Sequence, residues 1–346
     1  MRKSLRFFIL LLLTVLCLSS CAKYPAVSST KEEKATVFTV NGEYKAPYEL
    51  YRFAFLNALA SKGDVGGWSE SEKKAAFSDC DLVARREIAR VYAIFALCKE
   101  YGIDPYSKDI DKAVKEAVTD AIENEETGFG DYDTYLKALK EIYMNDSVFR
   151  FYLRLNICEE HLAGAMHLAS FVKEDDETVK AYFKSDDTVR ATWIYIPYGI
   201  VYDNLTDAMK SELVANAKAA SDEAFVATAQ GYLQPLYMPD ELARGFYFGK
   251  YQMDFYYDAL TKTAFSLAEG ETSDLIHSGD GVYIVRRLAK EDAYIENKDN
   301  IELLREYYLL DCFYRILSEE SEKALQTLKA EKAYEGITLD SVKMGE

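Results

Sequence analysis

The sequence predicts an α+β protein in which helices dominate and strands are concentrated in the second half. Apolar residues recur at helical spacing through most of the first half, which is the pattern of amphipathic helices. Residues 190–197 instead alternate and carry β-branched and aromatic side chains, which is typical of a strand. Residues 273–278 and 281–288 have the pattern of two strands joined by the tight turn Gly279-Asp280. The chain of 346 residues is long enough for more than one hydrophobic core.

The first half is predicted to begin with one short strand and to continue as helices. The strand spans residues 37–40 and ends at the turn Asn41-Gly42. Ser69 and Glu72 form a capping box, which marks the start of a short helix. The longer helices are predicted to begin at Pro47 and then to span residues 82–101, 108–125, 133–143 and 147–172.

The pattern changes after the acidic stretch at residues 174–177, where a compact unit with the order β-α-α-β-α-β-β is predicted. A long helix follows from residue 301 to about residue 334, and we expect its apolar stripe to be buried against the helical first half. The other elements of the compact unit are helices at residues 205–220, 222–230 and 254–264 and an aromatic strand at residues 246–248. The stripe consists of Leu304, Tyr307, Tyr308, Cys312 and Ile316.

The N-terminus has the pattern of a secretory signal. Three basic residues precede an apolar run over residues 7–18, which is shorter than the roughly 20 residues of a membrane span. The four residues that end at Cys21, Leu-Ser-Ser-Cys, match the bacterial lipobox, and this resemblance implies acylation of Cys21 and removal of residues 1–20. The alternative is a soluble secreted protein in which Cys21 is an ordinary residue. Residues 21–36 are predicted to be a tether.

The net negative charge argues against a nucleic acid partner and against close contact with anionic lipid. The net charge is −17, and removal of residues 1–20 with their three basic side chains brings it to about −20. Such a surface repels phosphate backbones, so no nucleic acid partner is expected. It also repels anionic lipid, so we expect the folded body to stand off the membrane. Hydrophobic residues make up 49% of the chain, which argues against intrinsic disorder.

Four cysteines remain after Cys21, and we expect them to be buried free thiols because a core of this size does not need disulfides. Cys80 and Cys98 would lie about 27 Å apart on a single helix, which excludes a bond between them. Cys158 with Cys312 is the pair left to test.

No metal or cofactor site is predicted. His161 and His167 lie six residues apart and point to different faces of their helix, so they do not share a metal. The glycine-rich residues 63–67 lack the lysine and the strand-to-helix setting of a phosphate-binding loop.

The order of several short motifs resembles the SurA/PrsA group of exported foldases. Residues 40–43, Val-Asn-Gly-Glu, with the helix that follows, are similar to the start of that group's helical chaperone domain. Residues 128–137 resemble its next helix entry, and residues 177–183 resemble the segment that leads into a parvulin domain. Residues 264–273 and 281–285 are similar to the aromatic-Ser-Leu motif and the closing strand of parvulins.

This resemblance implies a helical SurA-like domain formed by N- and C-terminal segments, with a parvulin-like domain inserted between them. The C-terminal segment would pack on the helical N-terminal domain, as it does in that group. The implied boundaries are a signal peptide at residues 1–20, the tether at 21–36, the helical domain at 37–175, the parvulin-like domain at 176–292 and the C-terminal segment at 293–346.

Parvulins rotate prolyl peptide bonds in an apolar Met/Phe pocket beside two histidines. The resemblance places Phe248, Met253 and Tyr257 at pocket positions, whereas Trp193 and Tyr283 occupy the two histidine positions. Neither Trp nor Tyr supplies the paired nitrogens of an imidazole. We therefore expect substrate binding at these five residues with weak or absent isomerase activity, and we assign no catalytic residue. The alternative is that Trp193, Met253 and Tyr257 are ordinary core residues.

The function implied is a membrane-anchored extracytoplasmic chaperone or foldase that binds unfolded or partly folded exported polypeptides. The lipobox implies attachment to the outer face of the bacterial cytoplasmic membrane, with sorting to an outer membrane left open. Two alternatives stay open: an active parvulin-type isomerase, and a binding or assembly lipoprotein that is not a chaperone.

Overall fold

The computed structural model describes residues 24–60, 62, 67–124, 128–166, 175–199, 201–232, 244–251, 258–277 and 281–342. The chain divides into two compact units. The helical unit consists of residues 1–169 together with 317–346, and the sheet unit consists of residues 170–316. The described residues form many helices and two small antiparallel sheets, which confirms the predicted mixture of helices with fewer strands.

A three-stranded sheet in the helical unit brings together distant parts of the chain. Strand β1 (Thr36–Val40) pairs antiparallel with β2 (Tyr44–Pro47) on one side and with β7 (Lys329–Ala330) on the other. The turn Asn41-Gly42 has φ values of 53° and 70°, in the left-handed region that Asn and Gly tolerate. The sequence predicts β1 and this turn but not β2, because a proline at the end of a short strand is also typical of helix entry.

The helices of the helical unit largely follow the predicted spacing. The capping box is confirmed, since Ser69 Oγ accepts a hydrogen bond from the Glu72 N–H and the Glu72 carboxylate accepts one from the Ser69 N–H. One helix follows it where two were predicted, because Cys80 and Ala84 lie on its buried face and packing overrides local cap-like residues. The helices are α1 (Tyr48–Ala60), α2 (Glu70–Glu100), α3 (Lys108–Glu123), α4 (Tyr132–Glu141) and α5 (Asp146–Met166).

The N-terminal segment, residues 24–35, is folded onto the helical unit, whereas the sequence predicts a tether there. Arg150 Nη2 of α5 donates to the Tyr24 carbonyl at 3.1 Å. The Val27 N–H donates to Asp146 Oδ2, also of α5, at 2.9 Å. From Tyr24 onward the predicted tether is therefore part of the folded unit.

A buried ion pair also fixes this segment. Arg52 Nη2 of α1 lies 3.0 Å from Glu33 Oε1, and their side chains are only 4% and 15% exposed. The Thr30 N–H donates to the other Glu33 oxygen at 2.8 Å. Burial alone would raise the pKa of Glu33, but the hydrogen bonds from Thr30 and Arg52 outweigh it and hold this pKa below its ordinary value of 4.5.

The lowered pKa makes the contribution of Glu33 depend on pH. Its stabilisation is complete above the unfolded-state value of about 4.5 and is lost as the pH falls through the lower folded-state pKa. We expect Glu33→Gln to reduce the free energy of unfolding by about 1–3 kcal/mol at neutral pH, because buried Arg52 loses its charged partner. The difference from the unchanged chain should shrink in strong acid, and urea unfolding at the two pH values measures both effects. Glu32→Gln, at the exposed neighbouring position, should have no effect at either pH; an equal loss in this control would contradict the assignment.

The four cysteines that the structure describes are free and buried, as predicted. Cys98 Sγ of α2 lies 3.6 Å from the Cys158 carbonyl of α5 and donates a weak hydrogen bond to it. Neither Cys158 nor Cys312 is in a disulfide, so the pairing left to test is not formed.

The sheet unit contains a four-stranded antiparallel sheet in the order β4-β3-β6-β5. From β3 onward its described elements follow the predicted order β-α-α-β-α-β-β, although β5 is shorter than predicted. The turn predicted at Gly279-Asp280 lies outside the described residues. The elements are α6 (Asp176–Lys184), β3 (Thr188–Pro197), α7 (Asp207–Ala219), α8 (Asp222–Tyr232), β4 (Phe246–Gly249), α9 (Asp258–Ser266), β5 (Ile276–His277), β6 (Gly281–Leu288) and the short α10 (Asp292–Ile295).

The long C-terminal helix, α11 (Ile301–Thr327), ends earlier than predicted because the residues just after it pair with β1 as strand β7. The stripe on its first half packs within the sheet unit. There Leu304, with Tyr307 and Tyr308 beside it, joins a core cluster that includes Val179 and Phe183 of α6. This differs from the prediction that the stripe is buried against the helical first half, since helical spacing shows which face is buried but not which element covers it.

Candidate substrate-binding site in the sheet unit

Three of the five residues predicted to form a substrate pocket, Trp193, Phe248 and Tyr283, lie on one face of the four-stranded sheet. Successive strand residues point to opposite faces, so Val189, Ala191 and Trp193 of β3 share one face while Ile194 and Ile196 share the other. The first face is covered by apolar side chains of α9, and the second is covered by α7 and α8. The three described residues of the predicted pocket therefore belong to the layer between the sheet and α9.

Trp193, Tyr283 and Phe248 come together in this layer. The strand register places Tyr195 of β3 opposite Tyr283 of β6, and their ring centroids are 4.9 Å apart. Trp193 stacks on Phe246 of β4 with ring centroids 4.7 Å apart. Phe248, two residues further along β4, belongs to the same cluster. We call these rings, with the α9 residues that pack on them, the aromatic cluster.

Three rings of the aromatic cluster are almost completely buried, whereas Tyr195 and Phe246 are partly buried. The exposed fractions are 5% for Trp193, 2% for Phe248 and 4% for Tyr283. Met253 and Tyr257, the other two predicted pocket residues, lie outside the described residues. A buried aromatic cluster suits both an apolar grip on a substrate and an ordinary core, so the assignment of a substrate pocket stays a prediction.

An imidazole does occur in the sheet unit, at the edge of the sheet. His277 of β5 is the single histidine between residues 170 and 316. Its neighbour Ile276 packs on the aromatic cluster, so His277 points to the opposite side of its strand. His277 therefore does not lie on the face of the sheet that carries the aromatic cluster.

His277 instead belongs to a small exposed polar group that the sequence did not predict. Its Nδ1 lies 3.0 Å from the Tyr198 hydroxyl, and its ring contacts Tyr202 edge-on at 5.7 Å. Lys210 Nζ lies 4.1 Å from the centre of the Tyr202 ring. No local motif connects Tyr198 with a histidine 79 residues away; they meet because β3 and β5 both pair with β6.

Buried Arg190 of β3 is hydrogen-bonded to residues next to β4 and β6, the two strands that flank β3 in the sheet. Its Nε donates to the Arg244 carbonyl at 2.5 Å, just before β4, and its Nη1 donates to the Ala289 carbonyl at 2.6 Å, just after β6. Its Nη2 pairs with Glu291 at 2.7 Å. These bonds hold the three strands that carry the aromatic cluster.

A second buried polar group holds the end of β4. The Asp311 carboxylate of α11 accepts hydrogen bonds from the Tyr182 hydroxyl and from the Tyr251 N–H, the latter at 2.7 Å. Burial, reinforced by the Asp311 charge, raises the pKa of Tyr182 well above its usual range, so Tyr182 remains a neutral donor. Gly249 lies against both groups, and a Cβ at this position would overlap them.

Among the residues that the structure describes, no helix combines the length and the apolar character that a membrane span requires. None of their His, Cys, Asp and Glu side chains form a group of three or more placed to hold a metal ion.

Comparisons with known proteins found similarity among solved structures. No protein-family model matches, and no curated protein sequence matches significantly. The foldase PrsA of Streptococcus pneumoniae is 20% identical with a TM-score of 0.32, over 73% of this chain and 88% of that chain. PrsA of Bacillus subtilis is 18% identical with a TM-score of 0.26, over 72% of this chain and 86% of that chain. A structure from work on PEB4 and Cj1289, two SurA-like chaperones of Campylobacter jejuni, is 12% identical with a TM-score of 0.30, over 86% of this chain and 98% of that chain.

These solved structures come from the group that the sequence motifs resemble.

Proposed function

We propose that this protein is a membrane-anchored extracytoplasmic chaperone or foldase that binds unfolded or partly folded exported polypeptides and has weak or absent prolyl isomerase activity. The observation that carries the proposal is the order of the two compact units along the chain. A sheet unit with strand order β4-β3-β6-β5 lies in sequence between the two segments of a helical unit. The same organisation is implied by the motifs that resemble the SurA/PrsA group.

The anchor is proposed from the lipobox that ends at Cys21, which lies outside the described residues. Acylation there would hold the protein at the outer face of the cytoplasmic membrane. Mass spectrometry of the protein made in a bacterial host tests this directly, because an acylated Cys21 would be the first residue of the mature chain.

Low isomerase activity is inferred from the two histidine positions. Rotation of a prolyl bond has a barrier of roughly 18–20 kcal/mol, and Trp193 and Tyr283 offer no paired imidazoles to act on it. In a protease-coupled assay we expect turnover about 100-fold or more below that of an intact parvulin measured in parallel. Comparable turnover would contradict this and favour the alternative of an active isomerase.

Client binding is supported by apolar side chains that the helical unit leaves exposed. Leu82 and Val83 are adjacent on α2 and are 46% and 50% exposed. Tyr106, just before α3, is also exposed. Such side chains can bind apolar segments of diverse unfolded chains weakly, while the net charge of about −20 on the mature chain keeps complexes soluble.

The mature protein is expected to suppress the aggregation of an unfolded client at stoichiometric amounts. The double variant Leu82→Ser with Val83→Ser should suppress it less, because it removes exposed apolar contact area. Light scattering during dilution of the client from denaturant measures the effect. Met209→Ser is the matched control, since Met209 is equally exposed but lies on α7 of the sheet unit. Absence of suppression by the unchanged protein, with tight binding of a small molecule, would favour a lipoprotein that is not a chaperone.

A further inference from the structure

We propose that the helical unit rests on the membrane through a surface patch formed by its N-terminal segment and the residues around the start of α4. The partner that we propose for this patch is the zwitterionic lipid headgroup. The proposal relies on the proposed attachment of lipid at Cys21. We call this surface the membrane patch, and it consists of Tyr24, Val27, Phe129 and Tyr132.

The aromatic members of the membrane patch are contiguous. Tyr24 stacks on Tyr132 with ring centroids 5.3 Å apart. Tyr132 and Phe129 both contact the buried ring of Tyr135, at 5.7 Å and 5.8 Å. The buried Tyr135 ring therefore supports Tyr132 and Phe129 directly, and Tyr24 packs on it through Tyr132.

Val27 joins the same surface through a shared carboxylate. Its N–H donates to one oxygen of Asp146, and the other oxygen accepts a hydrogen bond from the Tyr135 hydroxyl at 2.7 Å. Val27 and Phe129 are 47% and 38% exposed, whereas the two outer tyrosines are half-buried. The patch thus presents apolar side chains and phenol groups together, a combination suited to the boundary between lipid and water.

The short distance to the proposed anchor brings this surface to the bilayer. Cys21 and Tyr24 are three residues apart, so their Cα atoms are separated by at most about 11 Å. The headgroup layer of one leaflet is itself roughly 5–7 Å thick. Because Tyr24 is fixed to α5, a chain acylated at Cys21 cannot hold the helical unit far from the headgroups, which differs from the stand-off expected from net charge alone.

The charges beside the membrane patch select among lipids. Asp131 and Asp133 are exposed at the start of α4, next to Tyr132. Their charges, and the acidic body as a whole, are repelled by anionic headgroups. Headgroups without net charge therefore fit this surface better than anionic ones.

A photo-crosslinking experiment tests the proposal. Benzoylphenylalanine is introduced in place of Phe129 or, as the control, in place of Val83, which is exposed on α2 of the same unit. The acylated full mature chain is bound to phosphatidylcholine vesicles and irradiated, and lipid adducts are counted by mass spectrometry. We expect several-fold more adduct at position 129 than at position 83, and less adduct at 129 on phosphatidylglycerol vesicles. Equal yields at the two positions, or adducts at 129 mainly with protein, would overturn the proposal.

Failure of the anchor is distinguishable from failure of the membrane patch. If the protein made in bacteria lacks the acyl group, a maleimide lipid can be coupled to Cys21, because the other four mature cysteines are buried. The crosslinking comparison then tests the patch by itself. Aggregation suppression by the same chain in solution tests the chaperone role independently of both.

Discussion

Replacing Asp146 with alanine is expected to reduce the free energy of unfolding of the helical unit by about 3–5 kcal/mol. The Asp146 side chain is completely buried and accepts hydrogen bonds from the Val27 N–H at 2.9 Å and the Tyr135 hydroxyl at 2.7 Å. It also pairs with Arg150 Nε at 2.9 Å. Alanine would leave a largely buried guanidinium and a buried phenol without this acceptor, and each such loss is costly.

Urea unfolding followed by pulsed hydrogen exchange and mass spectrometry measures this loss, because peptides of the two units are read separately. Peptides that cover residues 24–30 should also exchange faster, since the Val27 N–H loses its acceptor. Asp133→Ala, at an exposed position of α4, is the matched control and should change stability by less than about 0.5 kcal/mol. Asp146→Asn keeps one acceptor oxygen and should fall between the two. A loss for Asp146→Ala no greater than that of the control would show that this network does not hold the segment.

Gly249→Ala is expected to reduce the free energy of unfolding of the sheet unit by about 3 kcal/mol. A Cβ on Gly249 would overlap the Asp311 carboxylate and the Tyr182 hydroxyl, which are hydrogen-bonded to each other. Asp311 is buried and also accepts from the Tyr251 N–H, so it cannot move without giving up these bonds. The strain would fall on β4, the strand that carries Phe248 of the aromatic cluster.

The matched control is Gly231→Ala on α8, where an added Cβ would meet no atom within 4 Å. This change should be neutral or slightly stabilising, because alanine is the better helix former. The double variant Gly249→Ala with Asp311→Ala shows whether the loss of stability in Gly249→Ala comes from overlap of the new Cβ with the Asp311 carboxylate. If overlap is the cause, Gly249→Ala should cost much less in a chain that already carries Asp311→Ala. Equal costs in the two backgrounds would contradict the overlap.

Local signals in the sequence predicted local structure well. The capping box at Ser69 and Glu72 and the turn Asn41-Gly42 are formed because the groups that bond lie within a few residues of each other. Structural features that depend on contacts between residues far apart in the sequence were not predicted. Residues 24–35 have the composition of a tether, and their hydrogen bonds to Asp146 and Arg150 depend on residues more than a hundred positions away.

In the candidate site, too, local patterns were predicted from the sequence, whereas contacts between distant strands were not. Alternation along β3 predicts a strand, and the resemblance to parvulins selected Trp193, Phe248 and Tyr283, which the structure places in one aromatic cluster. The opposition of Tyr195 and Tyr283 depends on register between distant strands, which periodicity does not encode. The contact of Tyr198 with His277 was missed for the same reason.

The pairing of β1 with β7 constrains when the protein can finish folding as it is synthesised. Phe38 pairs with Ala330 and Thr39 with Lys329, so one edge of β1 stays open until nearly the whole chain has been made. The sheet unit is continuous in sequence from residue 170 to residue 316 and can complete its core before the last residues appear. An open strand edge is a template for pairing with other chains, and here the chain's own C-terminal segment closes it. A nascent chain cut short after residue 316 would therefore contain a finished sheet unit and an unprotected β1.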